Sequence, residues 1–306
     1  MDIQTPFGSL RNVQILDINK SGIPLSIRLN EASPLNFEFG SMTPLFQREE
    51  LGRRKDVPIQ FHPNGNLRTL SLQSRSTILT QVGSIPAELL SFFPEGGLRK
   101  IFPSSGRISG FWTEEQEYQE APSCEIKIST QSVRAKIISI QFYPEGTLHS
   151  FTLWPQEHLF LQTNIGPIQA RTGVAFHPNG QLRSYEPIQP VWVSTPIGEI
   201  EAFDPNPLGV SGDHNSLEFD PVGKLTSLVT ISSAIHVFPK DGPEQVFAPQ
   251  TIPSFCSENS TEPVGFKISF HDEKIFLGRQ VSFPLTGTRF QVEHKGTVLT
   301  THTCHS

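Results

Sequence analysis

Along most of this chain apolar and polar positions alternate, and a Pro and a Gly two residues apart break the alternation at intervals. The reference stretch is Phe61-His62-Pro63-Asn64-Gly65-Asn66-Leu67. The frame Phe-x-Pro-x-Gly-x-Leu returns at Phe92 to Leu98, Phe142 to Leu148, Phe176 to Leu182 and Phe219 to Leu225. Pro sets φ near −65°, which suits the first corner of a type I turn, and a Gly two residues later can close the hairpin in the left-handed region. Each copy therefore predicts a strand, a tight turn with a bulge, and a returning strand. Phe61 and Leu67 flank the turn symmetrically, so they are expected on one face, with His62 and Asn66 on the other.

A second frame, Thr-x-x-Gly-x-Ile/Leu, begins at Thr5, Thr80, Thr163 and Thr195, and Ala87, Ala170 and Ala202 follow at the same offset in three of these. It predicts a second kind of tight turn leading into a strand. Strands separated by turn signals about every 8–12 residues argue for a continuous all-β meander.

A weaker copy with Gly22 and Pro24 stands near the N-terminus. Residues 42 to 57, with Arg48, Glu49, Glu50, Arg53, Arg54 and Lys55, read as a solvated mixed-charge loop. Two insertions interrupt the rhythm. Gly110 to Ser123 carries Glu114, Glu115, Glu117 and Glu120 with Trp112 and Tyr118, and holds the best helical candidate, Glu114 to Gln119. Phe203 to Asn215 carries Asp204, Asp213 and His214. Long loops on a repetitive scaffold are where function is often placed. The organisation expected is a repeated hairpin domain over 1–240, a linker or loop over 241–262, and further hairpins of the same sheet over 263–306.

Composition narrows the picture. The 306 residues include 23 Phe, 26 Pro and 23 Gly with 18% charged residues, a balance that favours short strands and turns over helices and supplies a sizeable core. A net charge of −6 disfavours nucleic acid as a partner. The first residues lack a basic and an apolar region, so no signal peptide is expected, and no apolar run reaches membrane-spanning length. Cys124, Cys256 and Cys304 are far apart and odd in number, which argues against a disulfide framework and for a cytoplasmic setting.

The stretches Phe61 to Arg68 and Phe176 to Arg183 resemble the variant MORN-type repeats, whose units run aromatic-x-x-Asn-Gly-x-Leu-Lys/Arg. The Tyr-x-Gly-x-Trp runs of the main MORN pattern are absent, and the spacing between units here is longer and less even. The resemblance covers about half the chain. It implies an elongated antiparallel sheet of stacked hairpins and a scaffolding or binding role, with no catalytic residues.

Alternation carries the candidate chemistry. With Phe and Leu turned to the core, the other face shows His62 with Arg68, Tyr143 with His149, His177 with Arg183, and Phe93 with Arg99, while Asp220 with Thr226 departs. Stacked hairpins would align these as a stripe able to hold an anion or a planar ligand. The plainer reading is a solvated, turn-proximal face in which Arg and His serve solubility. A second set, Trp112, Trp154 and Trp192 with the insertion acids, would line a pocket inside a curled sheet and serve an enzyme. His294, His302, Cys304 and His305 are zinc-type side chains without the ligand spacing of a structural site, so no metal is expected, nor any cofactor. No Gly-x-Ser-x-Gly, phosphate-loop, His-Glu-x-x-His or Cys-x-x-Cys motif occurs.

The expectation is an all-β chain of repeated antiparallel hairpins in a long twisted or curled meander, solenoid- or barrel-like. Its expected role is non-catalytic binding or scaffolding, with a sheet face offered to a small anionic or planar ligand or to a protein partner. The alternative is an enzyme with an internal pocket.

Overall fold

In a computed structural model the described residues are 2–47, 58–105, 113–207, 212–253, 261–278 and 281–294. The fold is all-β, built of antiparallel hairpins that follow one another along the chain, with one seven-residue helix among the described residues. No helix among them is long and apolar enough to cross a membrane.

The Pro–Gly frame builds the turn that its chemistry dictates. In each copy the Gly amide donates to the carbonyl three residues back: Gly65 to His62, Gly96 to Phe93, Gly146 to Tyr143, Gly180 to His177 and Gly223 to Asp220, at 2.8–3.0 Å. All five glycines lie at φ between 80° and 97°, a conformation that costs a residue with a Cβ of the order of 1 kcal/mol. The strands resume with Phe opposite Leu, as Phe61↔Leu67, Phe92↔Leu98, Phe142↔Leu148 and Phe219↔Leu225, each beside a register shift. That shift is the bulge expected from a left-handed Gly. Phe61, Leu67, Phe92, Phe142, Leu148 and Phe219 are buried, so ring and aliphatic group do share a face.

The Thr–Gly frame makes a different latch. Each Thr hydroxyl donates to the carbonyl of its Gly, Thr5 to Gly8, Thr80 to Gly83, Thr163 to Gly166 and Thr195 to Gly198, at 2.7–2.8 Å. The same oxygen accepts the amide two residues on, at 3.2–3.3 Å. One hydroxyl thus satisfies both sides of a two-residue loop. Ala87, Ala170 and Ala202 are fully buried where the following strand packs closely.

The chain groups into two compact units, Met1–Leu159 with Phe176–Gly180, and Phe160–Ala175 with Gln181–Ser306. In the first, Val13–Ile18, Pro24–Leu29, Ile59–Phe61, Leu67–Thr80, Gly83–Phe92 and Leu98–Phe102 pair in sequence, and Leu98–Phe102 pairs in turn with Gln131–Phe142. Two small ribbons, Ile3–Thr5 with Gly8–Leu10 and Leu35–Phe37 with Gly40–Met42, bring Phe7 and Phe37 onto Phe92, with ring centroids 6.4 and 5.5 Å away. The helical candidate forms at Glu114–Glu120 with a reciprocal cap: Thr113 Oγ1 accepts from the Gln116 amide, and Gln116 Oε1 accepts from the Thr113 amide.

In the second unit, Leu182–Pro187, Leu217–Phe219, Leu225–Thr230, Phe266–His271, Lys274–Leu277 and Val281–Pro284 pair in sequence. Ser233–Phe238 stands between Gln245–Phe247 and Arg289–His294 in a separate three-stranded sheet. The segment read from the sequence as a linker, 241–262, carries strands Gln245–Phe247 and Gln250–Pro253, and the latter pairs with Thr261–Val264.

Candidate binding groove

The repeats lay turns side by side, and side-chain amides hold them there. Asn64 and Asn66 both donate to the carbonyl of Pro94, at 2.8 and 2.7 Å, and Gln81 donates to the carbonyl of Glu145 at 3.2 Å. Between these turns and the N-terminal ribbons the first unit opens a groove of about 840 Å³. Leu79, Leu98, Phe142, Pro144, Phe7, Phe37 and Phe39 supply its apolar surface. The rings are ordered by contact, since Phe37 lies 4.3 Å from Phe7 and 4.9 Å from Phe39, the latter pair nearly parallel at 8°. Glu38, Glu95 and Glu145 reach the same groove and are exposed. Among the described residues none of the three has an ion-pair partner, and the lining contains no Lys or Arg. An aromatic surface with an unneutralised acidic rim results.

The second unit holds a buried polar cluster of another kind. Glu186 is fully buried; its carboxylate accepts from the Ser216 amide at 2.8 Å and hydroxyl at 3.0 Å, and meets Arg171 at 3.4 Å. Burial pushes the Glu186 carboxyl up to about 7, against the hydrogen bonds and the guanidinium, which pull it down. Arg171 also donates to the carbonyls of Pro187 and Asp204 and lies 4.8 Å over the ring of Phe203. Burial raises the Asp204 carboxyl as well. Asn215 bridges Ser184 and the Gly212 carbonyl, both at 2.8 Å. These contacts fasten residues of the 203–215 insertion to the sheet, where Gly173 lies so close that a Cβ would meet Gly212 Cα at 2.3 Å.

The stripe residues are placed as follows. His62 Nε2 lies 3.0 Å from the Phe92 carbonyl, and the Tyr143 hydroxyl donates to the Phe176 carbonyl at 2.9 Å. Both polar heads are therefore turned to the backbone of another copy. The pairing within hairpins holds, with His149 edge-on to Tyr143 at 4.6 Å and the Arg99 guanidinium 5.8 Å over Phe93. Arg68 is exposed, His177 belongs to the first unit, and Arg183 belongs to the second, where it faces Asp213 at 3.7 Å.

The tryptophans do not line the groove. Trp154 is buried edge-on to Tyr118 at 6.0 Å, and its indole N–H has no hydrogen-bond partner among the described residues. Trp192 is 53% exposed on its own hairpin, 4.7 Å from His294, and Trp112 lies outside the described residues. Of the helix acids, Glu114 is exposed and Glu117 half-buried, and Tyr118 donates to Glu157 at 2.9 Å. Asp220 accepts the amides of Val222 and Lys224 and so serves its own turn. No group of three metal-ligating side chains is found among the described residues, and His302, Cys304 and His305 fall outside them.

The groove residues escaped the sequence reading, although two carried a signal. Glu95 and Glu145 occupy the same place in the frame, before the turn Gly, where the other copies have Asn64, Asn179 and Val222. No protein-family model matches the chain, and no curated protein matches it either.

Proposed function

We propose that this chain is a non-catalytic binding protein that receives a flat, apolar small molecule in the groove of its first unit. The observation that carries the reading is the groove itself. It has the size of small-molecule sites, about 300–1,000 Å³, and an aromatic surface pre-ordered by ring stacking. The enzyme reading rests on tryptophans and insertion acids, and none of these lines the groove. The likeness of the turns to MORN-type repeats points toward binding as well, and the odd, scattered cysteines support a cytoplasmic setting.

Gly97 makes a direct test possible. It lines the groove outside the left-handed region, and a Cβ there meets only Pro144 O at 3.7 Å and Phe93 Cδ2 at 3.9 Å, so Gly97→Leu fills space without straining the backbone. Calorimetric titration with three naphthalene probes, 2-naphthylmethanol, 2-naphthylmethylammonium and 2-naphthoate, is expected to give saturable 1:1 binding of at least one. Gly97→Leu is expected to abolish it with an unchanged melting temperature. Failure of all three probes, or binding that survives in the variant, overturns the proposal.

A further inference from the structure

Resting on the groove as a binding site, we infer that its ligand is a small organic cation: an ammonium or amidinium group carried on a flat apolar body. Three carboxylates approach the groove from three separate turns, Glu38 from the ribbon tip between Phe37 and Gly40, and Glu95 and Glu145 from two copies of the Pro–Gly frame. None has an ion-pair partner among the described residues, so their fields add over the groove. Two of them stand beside an aromatic ring of the same groove. Glu38 is next to Phe37 and Phe39 in sequence, and the turn of Glu145 starts from Phe142.

Ring faces carry negative electrostatic potential, so rings and carboxylates favour the same sign of ligand charge. A neutral guest would gain only the apolar contact, and an anion would be repelled by the rim. The volume argues for a small molecule over a polypeptide segment, because protein partners need a far larger buried face. Shared placement of Glu95 and Glu145 in the repeat explains how one short motif supplies two arms of the rim. The turn backbone fixes each arm, since Gly96 and Gly146 sit at φ 97° and 84° immediately after the glutamates.

The same three naphthalene probes decide the charge class. The ammonium is expected to bind at least about tenfold more tightly than the alcohol, equivalent to about 1.4 kcal/mol, and the carboxylate more weakly than either. In the combined variant Glu38→Gln, Glu95→Gln, Glu145→Gln, all three at exposed positions, the preference for the ammonium is expected to fall to within about twofold while alcohol binding is kept. Raising the salt to about 0.5 M should weaken only the ammonium, since charge pairs on an open rim are screened. Equal binding of ammonium and alcohol, or an unchanged preference in the variant, overturns the cation assignment and leaves the groove reading standing. Tighter binding of a tetralysine peptide than of the ammonium overturns the small-molecule assignment. Absence of binding by every probe removes both proposals together.

Discussion

The imidazole Nε2 of His62 stands 3.0 Å from the backbone carbonyl oxygen of Phe92, thirty residues further on. A carbonyl oxygen only accepts, so this nitrogen carries a proton, and the ring ties one turn to the Phe of the next copy. Tyr143 does the same to Phe176 at 2.9 Å. Of the residues on that face, His62 and Tyr143 act as straps between repeats.

Removing a strap should therefore cost stability. Tyr143→Phe keeps the ring against His149 and deletes only the hydroxyl, so chemical denaturation should show a loss of about 1 kcal/mol. An unchanged midpoint would mean that water replaces the bond at no cost.

The two kinds of glycine should respond differently to a side chain. Gly65→Val and Gly180→Val force a β-branched residue into φ of 87° and 80°, with an expected loss of about 1 kcal/mol or more each. Gly173→Ala should cost more still, several kcal/mol, because its Cβ would meet backbone of the insertion at Gly212. Denaturant midpoints that rank these variants in the reverse order would contradict the turn and packing assignments.

The Thr latches predict a hydroxyl-specific effect. Thr163→Val preserves shape and loses both hydrogen bonds of the oxygen, at an expected cost of about 1–2 kcal/mol, whereas Thr163→Ser should restore most of it. Equal stability of the Val and Ser variants would assign the preference for Thr to strand propensity alone.

Glu186 makes stability depend on pH in a defined direction. Its carboxyl is raised from 4.5 to about 7 in the fold, so between these values the native state holds a proton that the unfolded chain has released. The stabilisation is fully present below pH 4.5 and is lost as the pH rises through about 7, a change of order 3 kcal/mol. Glu186→Gln keeps an acceptor for Ser216 and should flatten the stability profile across that window. A profile as steep as that of the unaltered chain would place the titration elsewhere.

His236 gives a second, opposite-charge case with the same sign. Its two ring nitrogens face Glu244 at 2.6 Å and Glu293 at 3.0 Å, on the two flanks of Ser233–Phe238, and these carboxylates raise its pKa, Glu293 most. Both contacts are donor contacts only when the ring is an imidazolium. Arg289, whose guanidinium lies over Phe238 at 4.1 Å, is another charged group of that sheet face. The contribution is complete below pH 6.5 and disappears as the pH rises through the raised value. Amide protection of Gln245–Phe247, taken relative to the intrinsic exchange rate at each pH, should fall over that rise, and in His236→Asn it should not vary across it.

Turn frames were legible because everything that fixes them lies within seven residues. A Pro at one corner, a left-handed Gly at the other and a Thr hydroxyl over a two-residue loop determine local backbone wherever they occur, and alternation then places Phe61 with Leu67. The capping box at Thr113 and Gln116 is local in the same way. Glu38, Glu95 and Glu145 gained meaning only from neighbours far along the chain, since which turns adjoin is decided by strand pairing and by the stacking of Phe7 and Phe37 on Phe92. Likewise no sequence spacing joins Arg171, Glu186 and Ser216, because burial and desolvation belong to the packed chain alone. The sequence by itself determined the hairpins and the face each side chain takes; the tertiary structure decided which polar groups meet backbone, which meet each other, and which are left facing an open groove.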